Sequence, residues 1–145
     1  MKVCIVYDSR HGTTEKVAET IKEAIEKYTN VEVRRASEVA TFKGCELIIV
    51  GTPIYYERPL KSILEFLEEH SSELEEKKVA IFIVCFAVAF GNLGRWHIQN
   101  HYIKPLMERI PGEIIDTLVL KGGIGNVSEG EIEKAKRWAT GLLDF

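Results

Sequence analysis

The residues of this chain whose types and spacing suit chemistry best are Ser9-Arg10-His11-Gly12-Thr13-Thr14, a polar loop between an apolar run, Val3 to Tyr7, and a helical pattern. The hydroxyls of Ser9, Thr13 and Thr14 can donate to phosphate oxygens, and Gly12 lets the backbone come close. The unpaired N–H groups of a helix's first turn point the same way. A pyrophosphate turn of the G-x-G-x-x-G kind is missing, since Gly12 is the loop's only glycine. A single terminal phosphate, carrying about −1.5 to −2 charge, fits better than a dinucleotide. Capping hydroxyls at an ordinary strand-to-helix turn have the same residue types, so the local pattern leaves both readings open.

A second loop, Gly51-Thr52-Pro53-Ile54-Tyr55-Tyr56-Glu57-Arg58-Pro59, presents a tyrosine pair between prolines that restrict the backbone. A planar ring stacked on Tyr55 or Tyr56 gains roughly 0.5–1.5 kcal/mol beyond its buried area. Thr52 and the loop backbone, including Pro53 and Ile54, can meet its polar edges. A third segment, Cys85-Phe86-Ala87-Val88-Ala89-Phe90-Gly91-Asn92, continues an apolar strand into glycine and asparagine. It suits the far wall of a ring pocket, with contacts mainly from backbone N–H groups; the plainer alternative makes Phe86 and Phe90 core aromatics and Cys85 an inert buried thiol, the preferred reading for Cys85 because nothing nearby in sequence lowers its pKa.

Arg95, His97 and His101 follow this segment as entrance or surface residues. His11 can serve a phosphate, whereas His70 suits the end of a helix. No Ser/His/Asp order, H-E-x-x-H motif or carboxylate pair appears, so hydrolysis has no support. The 3 cysteines are far apart and lack a C-x-x-C spacing, which argues against a disulfide framework or zinc site. Cys4 and Cys45 read as core fillers.

These loops need elements to hold them. The 145 residues, 46% hydrophobic, are enough to bury one core, and 1–145 is expected to form a single domain. A net charge of −3, with scattered lysines and arginines, gives no nucleic-acid footprint. No apolar run approaches the ~18 residues of a membrane span, and a strand from residue 2 leaves no room for a secretory signal. A cytoplasmic protein without an integral membrane segment is expected.

Apolar runs predict strands near 2–8, 31–36, 46–51, 78–86 and 114–121. Helical spacing predicts helices near 13–28, 60–75, 95–110 and 129–143, the third interrupted by Pro105. Val17, Ile21, Ala24, Ile25 and Tyr28 share one face of the first helix, and Leu60, Ile63, Leu64 and Leu67 one face of the second. Ser128 and Glu131 form a capping box before the last. Strand–helix alternation indicates an α/β fold, a three-layer sandwich with a five-stranded parallel sheet between helices. Leu47–Val50 and Val79–Val84 read as central strands and Val31–Arg34 as an edge, which suits order 2-1-3-4-5. In that order the ligand crevice lies beyond the carboxyl ends of strands 1 and 3.

The stretch from Tyr7 through Ser9-x-x-Gly12-x-Thr14-Glu15-x-x-Ala18 resembles the FMN phosphate loop of the flavodoxin family. Gly51-Thr52-Pro53-Ile54-Tyr55 with Arg58-Pro59-Leu60-Lys61 is similar to flavodoxin domains related to menaquinone-dependent protoporphyrinogen oxidase. The resemblance implies a flavodoxin-like fold in which Ser9, Arg10, His11, Gly12, Thr13 and Thr14 hold the FMN phosphate. It puts Thr52, Pro53, Ile54, Tyr55 and Tyr56 on one side of the isoalloxazine, and Cys85, Phe86, Ala87, Phe90, Gly91 and Asn92 on the other. The acidic Gly-Asp segment after the fourth strand of electron-transfer flavodoxins is absent, as is the long insertion of the protoporphyrinogen oxidases. The implied role is electron transfer with a redox partner protein; the alternative is an FMN-dependent oxidoreductase acting on a quinone or protoporphyrinogen-type substrate. A receiver domain of the same strand order needs an acidic cluster after the first strand and an aspartate after the third, where this chain has Asp8 and Gly51-Thr52.

Overall fold

The computed structural model describes residues 1–85, 91–123 and 125–144. Its strands are β1 (Lys2–Tyr7), β2 (Asn30–Arg35), β3 (Leu47–Tyr55), β4 (Arg58–Pro59), β5 (Lys78–Cys85) and β6 (Glu113–Lys121). Its helices are α1 (Thr13–Ile25), α2 (Lys61–Glu69), α3 (Ser71–Leu74), α4 (Gly91–Ile98), α5 (Lys104–Met107) and α6 (Glu129–Leu142). A parallel sheet runs β2-β1-β3-β5-β6, which is the expected order, with β2 at an edge. The additional strand is β4, two residues that fold back antiparallel on the end of β3.

Alternation along the buried strands divides the core between the faces of the sheet. Val3, Ile5, Ile49, Ala80 and Phe82 pack beneath Val17 and Ile21 of α1 and Ala135 and Ala139 of α6. Cys4, Val6, Ile48, Val50, Ile81 and Ile83 pack beneath Ile63 and Leu67 of α2, Leu74 of α3 and Leu106 of α5. Ser128 caps α6, its hydroxyl oxygen accepting from the Glu131 N–H at 3.4 Å. Among the described residues no helix is long and apolar enough to cross a membrane.

Several expectations change. Cys4 and Cys45 are joined in a disulfide, not merely packed as core fillers. They are 41 residues apart in sequence, but pairing of β1 with β3 brings their Cα atoms to 5.9 Å. Tyr28 leaves the apolar face of α1, because the helix ends at Ile25 and the ring is 63% exposed. The third predicted helix begins earlier, at Gly91, and divides: a π-helical segment, Gln99–Ile103, separates α4 from α5, where Pro105 stands in the first turn and has no N–H to lose. The second predicted helix also breaks, at His70. This imidazole does more than face a helix end; it pairs through Nδ1 with Glu73 at 3.0 Å.

Gly51 marks the closest approach in the sheet, since a Cβ there would fall 2.0 Å from the Phe82 ring. Gly51→Ala is therefore expected to cost about 1–3 kcal/mol by overpacking, read as a lower denaturation midpoint; an unchanged midpoint would show that the ring yields freely. In denaturant without reductant one thiol, that of Cys85, should react, and reduction should release the Cys4–Cys45 pair. A full complement of thiols before reduction contradicts the disulfide.

Candidate functional site

The loop after β1 turns at Gly12, whose φ of 86° is left-handed, and nothing lies within 4 Å of where its Cβ would stand. The Gly12 N–H donates to Ser9 Oγ at 2.9 Å, leaving the serine proton free to point outward. The first helical bond runs from Lys16 N–H to the Gly12 carbonyl at 3.0 Å, so the N–H groups of Thr13, Thr14 and Glu15 precede it. Thr14 is fully buried, and its Oγ1 has no hydrogen-bond partner among the described residues. Thr13 is engaged elsewhere: its hydroxyl donates to the Gly123 carbonyl at 2.9 Å. Of the three hydroxyls, those of Ser9 and Thr14 remain able to donate to a ligand.

Asp8 sits beside this cradle without opposing an anion. Its carboxylate accepts from the Ser9 N–H at 2.9 Å and the Ser62 hydroxyl at 2.6 Å, and Arg35 lies 3.1 Å from it. The same guanidinium reaches Glu15, also at 3.1 Å. Arg35 thus offsets both acids at the mouth, and Arg10 and His11 project exposed above it.

The second loop is a hairpin. Tyr56 and Glu57 take φ of 50° and 63°, a turn that reverses the chain so that Arg58 pairs with Tyr55. Thr52 is fully buried and closes the hairpin from within, its Oγ1 donating to the Pro53 carbonyl at 2.9 Å and accepting from the Leu60 N–H at 3.1 Å. Pro53 and Ile54 are buried as well. Tyr55 is half-buried, with the His11 ring edge-on at 5.6 Å and the Arg10 guanidinium 5.7 Å from its centroid, while Tyr56 is 93% exposed. The first two loops therefore meet at Tyr55.

Glu57 ties the hairpin to the helical layer. His97 Nε2 lies 2.8 Å from its carboxylate, and the Tyr102 hydroxyl donates to the same oxygen. Those bonds, first from His97 and then from Tyr102, hold the Glu57 carboxyl below the usual range. Burial, followed by the hydrogen bond to Glu57, pushes the Tyr102 phenol up. His101 stacks obliquely on His97 at 4.5 Å.

Of the third segment, Cys85 ends β5 as a buried thiol raised to about 11, chiefly by burial. Phe86, Ala87 and Phe90 lie outside the described residues, and Gly91 and Asn92 begin α4. Sequence reasoning overlooked the exit from β6 as a wall of the cradle. Gly122 lies where a Cβ would come within 2.6 Å of Val84 and 3.2 Å of Thr13, and Gly125, at φ 69°, faces the His11 carbonyl. The glycines of Lys121–Asn126 were the available signal; Tyr102 offered none.

The flavodoxin domain family matches residues 4–122. A flavodoxin of Clostridium saccharobutylicum is 35% identical over 107 residues, spanning 70% of this chain and 67% of its own. Oxidised Flavodoxin 1 from Bacillus cereus superposes with a TM-score of 0.73 at 20% identity, covering 99% of this chain and 98% of that one. The flavodoxin of Streptococcus pneumonia TIGR4 gives 0.74 at 18% identity, with 99% of each chain covered.

Because the Glu57 carboxyl is depressed in the fold, its hold on the hairpin is present above the ordinary carboxylate value of 4.5 and lost as pH falls below it. Glu57→Gln at neutral pH should speed amide exchange at Glu57 and Arg58 by about two- to fivefold, the range of an exposed ion pair. Identical exchange in the variant would show that the turn holds its shape without the carboxylate.

Proposed function

The chain belongs to the flavodoxin domain family, and from that membership we propose that it holds one FMN without covalent attachment and carries electrons between redox proteins. When bound, FMN supplies the redox chemistry. Residues of this chain grip, orient and shield it. In this reading the Ser9 and Thr14 hydroxyls and the N–H groups of Thr13 to Glu15 donate to the phosphate, Arg10 adds positive charge, His11 donates from a ring nitrogen, and Gly12 leaves the approach open. Thr13 stiffens the cradle through Gly123. Thr52 to Tyr56 line one side of the ring, and the segment from Cys85 to Asn92 lines the other. Residues 1–145 act as one flavodoxin-like unit in the cytoplasm.

The observation that carries this reading is the Thr14 hydroxyl, buried in the first turn of α1 without a partner among the described residues. A polar atom so placed is costly until something accepts its proton.

A second reading is an oxidoreductase acting on a quinone or protoporphyrinogen-type substrate, related to menaquinone-dependent protoporphyrinogen oxidase. It is supported by the β3–β4 hairpin and its run into α2, which contain Gly51–Tyr55 and Arg58–Lys61, the stretch that carries that likeness. Steady-state turnover of a quinone or protoporphyrinogen favours the enzyme; redox activity confined to a protein partner favours the carrier.

Purified protein should be yellow and release a flavin mononucleotide on denaturation. Thr14→Val should weaken FMN binding by roughly tenfold or more, the loss of one charge-assisted hydrogen bond. The FMN-free variant should be at least as stable as its parent, because valine removes an unsatisfied hydroxyl. Unchanged FMN affinity would remove Thr14 from the phosphate site, and a colourless protein that ignores added FMN would sink the cofactor assignment.

A further inference from the structure

On the α2 side of the β3–β4 hairpin lies a cleft of about 560 Å³, separate from the Glu57 contacts to His97 and Tyr102. Its floor is apolar: Leu60 and Leu64, 7% and 8% exposed, lie beside the half-buried Tyr55 ring. Its size is that of a small-molecule site, for which roughly 300–1,000 Å³ is usual.

Charge on the walls is unevenly satisfied. Lys61 pairs with Glu65 at 3.5 Å, and Arg109 pairs with Glu68 at 2.9 Å. Arg10 and Arg58 also line the cleft, yet neither has a carboxylate partner among the described residues. Arg10 is held against the Tyr55 ring instead. Arg58 is placed by its register opposite Tyr55. An aromatic and aliphatic floor beneath guanidiniums without counter-charges matches a flat ring bearing a carboxylate or sulfonate: the ring covers Tyr55 and Leu64, and the anion accepts from a guanidinium fork.

We propose that the cleft between the Tyr55–Arg58 hairpin and α2 binds planar aromatic anions, with Arg58 as the anion-recognising group. The site adjoins the FMN region and shares Arg10, Tyr55 and Tyr56 with it, but its chemistry does not require FMN.

The test uses the full-length protein, FMN-free and FMN-loaded, titrated with naphthalene-2-carboxylate and with the neutral naphthalene-2-carboxamide, while amide shifts are followed by NMR. The carboxylate should bind about tenfold tighter than the amide, weaken with added salt, and shift Tyr55 to Glu65 first. Arg58→Gln should bring the carboxylate down to the amide's affinity, and Arg58→Lys should restore part of it. Equal affinity for the two probes, indifference to Arg58→Gln, or shifts centred elsewhere would overturn the proposal. So would displacement of the carboxylate by FMN, which would make the cleft the flavin's own seat. FMN uptake is read independently from quenching of flavin fluorescence. If no flavin binds, the cofactor reading fails and the titration of the FMN-free protein still decides this one.

Discussion

Burial of a hydroxyl with nothing to receive its proton is the constraint on which the site turns. Thr14 lies in the first turn of α1, where its hydroxyl is completely covered yet has no partner among the described residues. In the proposed reading an anion completes it. Gly12 takes a left-handed conformation that turns the chain, and Ser9 Oγ accepts from the Gly12 N–H, so its own proton is not used in that bond. Arg35 offsets the neighbouring Asp8 and Glu15. Thr13, equivalent to Thr14 on paper, spends its proton on Gly123 and fastens the loop after β6 to the cradle.

The β3–β4 hairpin is a wall with different chemistry on its two sides. Toward the helical layer it is anchored by Glu57, which His97 and Tyr102 hold as a carboxylate. Toward α2 it presents Tyr55 and Arg58 over an apolar floor. Thr52 sets its root from inside, bonding the Pro53 carbonyl and the Leu60 N–H. Bonded at its root through Thr52 and at its tip through Glu57, the hairpin sets the half-buried Tyr55 against Arg10 and His11 of the loop after β1, with Tyr56 exposed beside it.

The strand order was legible because burial writes itself into local sequence. Val79–Val84 is apolar at every position, as a strand covered on both faces must be, whereas β2 alternates and lies at the edge. The turn after β1 was legible for a similar reason: strand, hydroxyl-rich turn and helix are consecutive, so their spacing already encodes their proximity. By contrast, β4 carried no strand signal, because two residues containing a proline have no periodicity to read.

Sequence by itself determined the alternation of strands and helices, the edge and central strands, and the candidate loops, since each depends on contacts within a few residues. Tertiary structure alone decided which hydroxyls were spent, that Cys4 meets Cys45, that Tyr102 and His97 share Glu57, and that Arg58 shares a cleft with Arg10 and Arg109. Those pairings join residues tens of positions apart. Their chemistry is set by distances that arise only when crossovers bring the ends of parallel strands together, which no local pattern records.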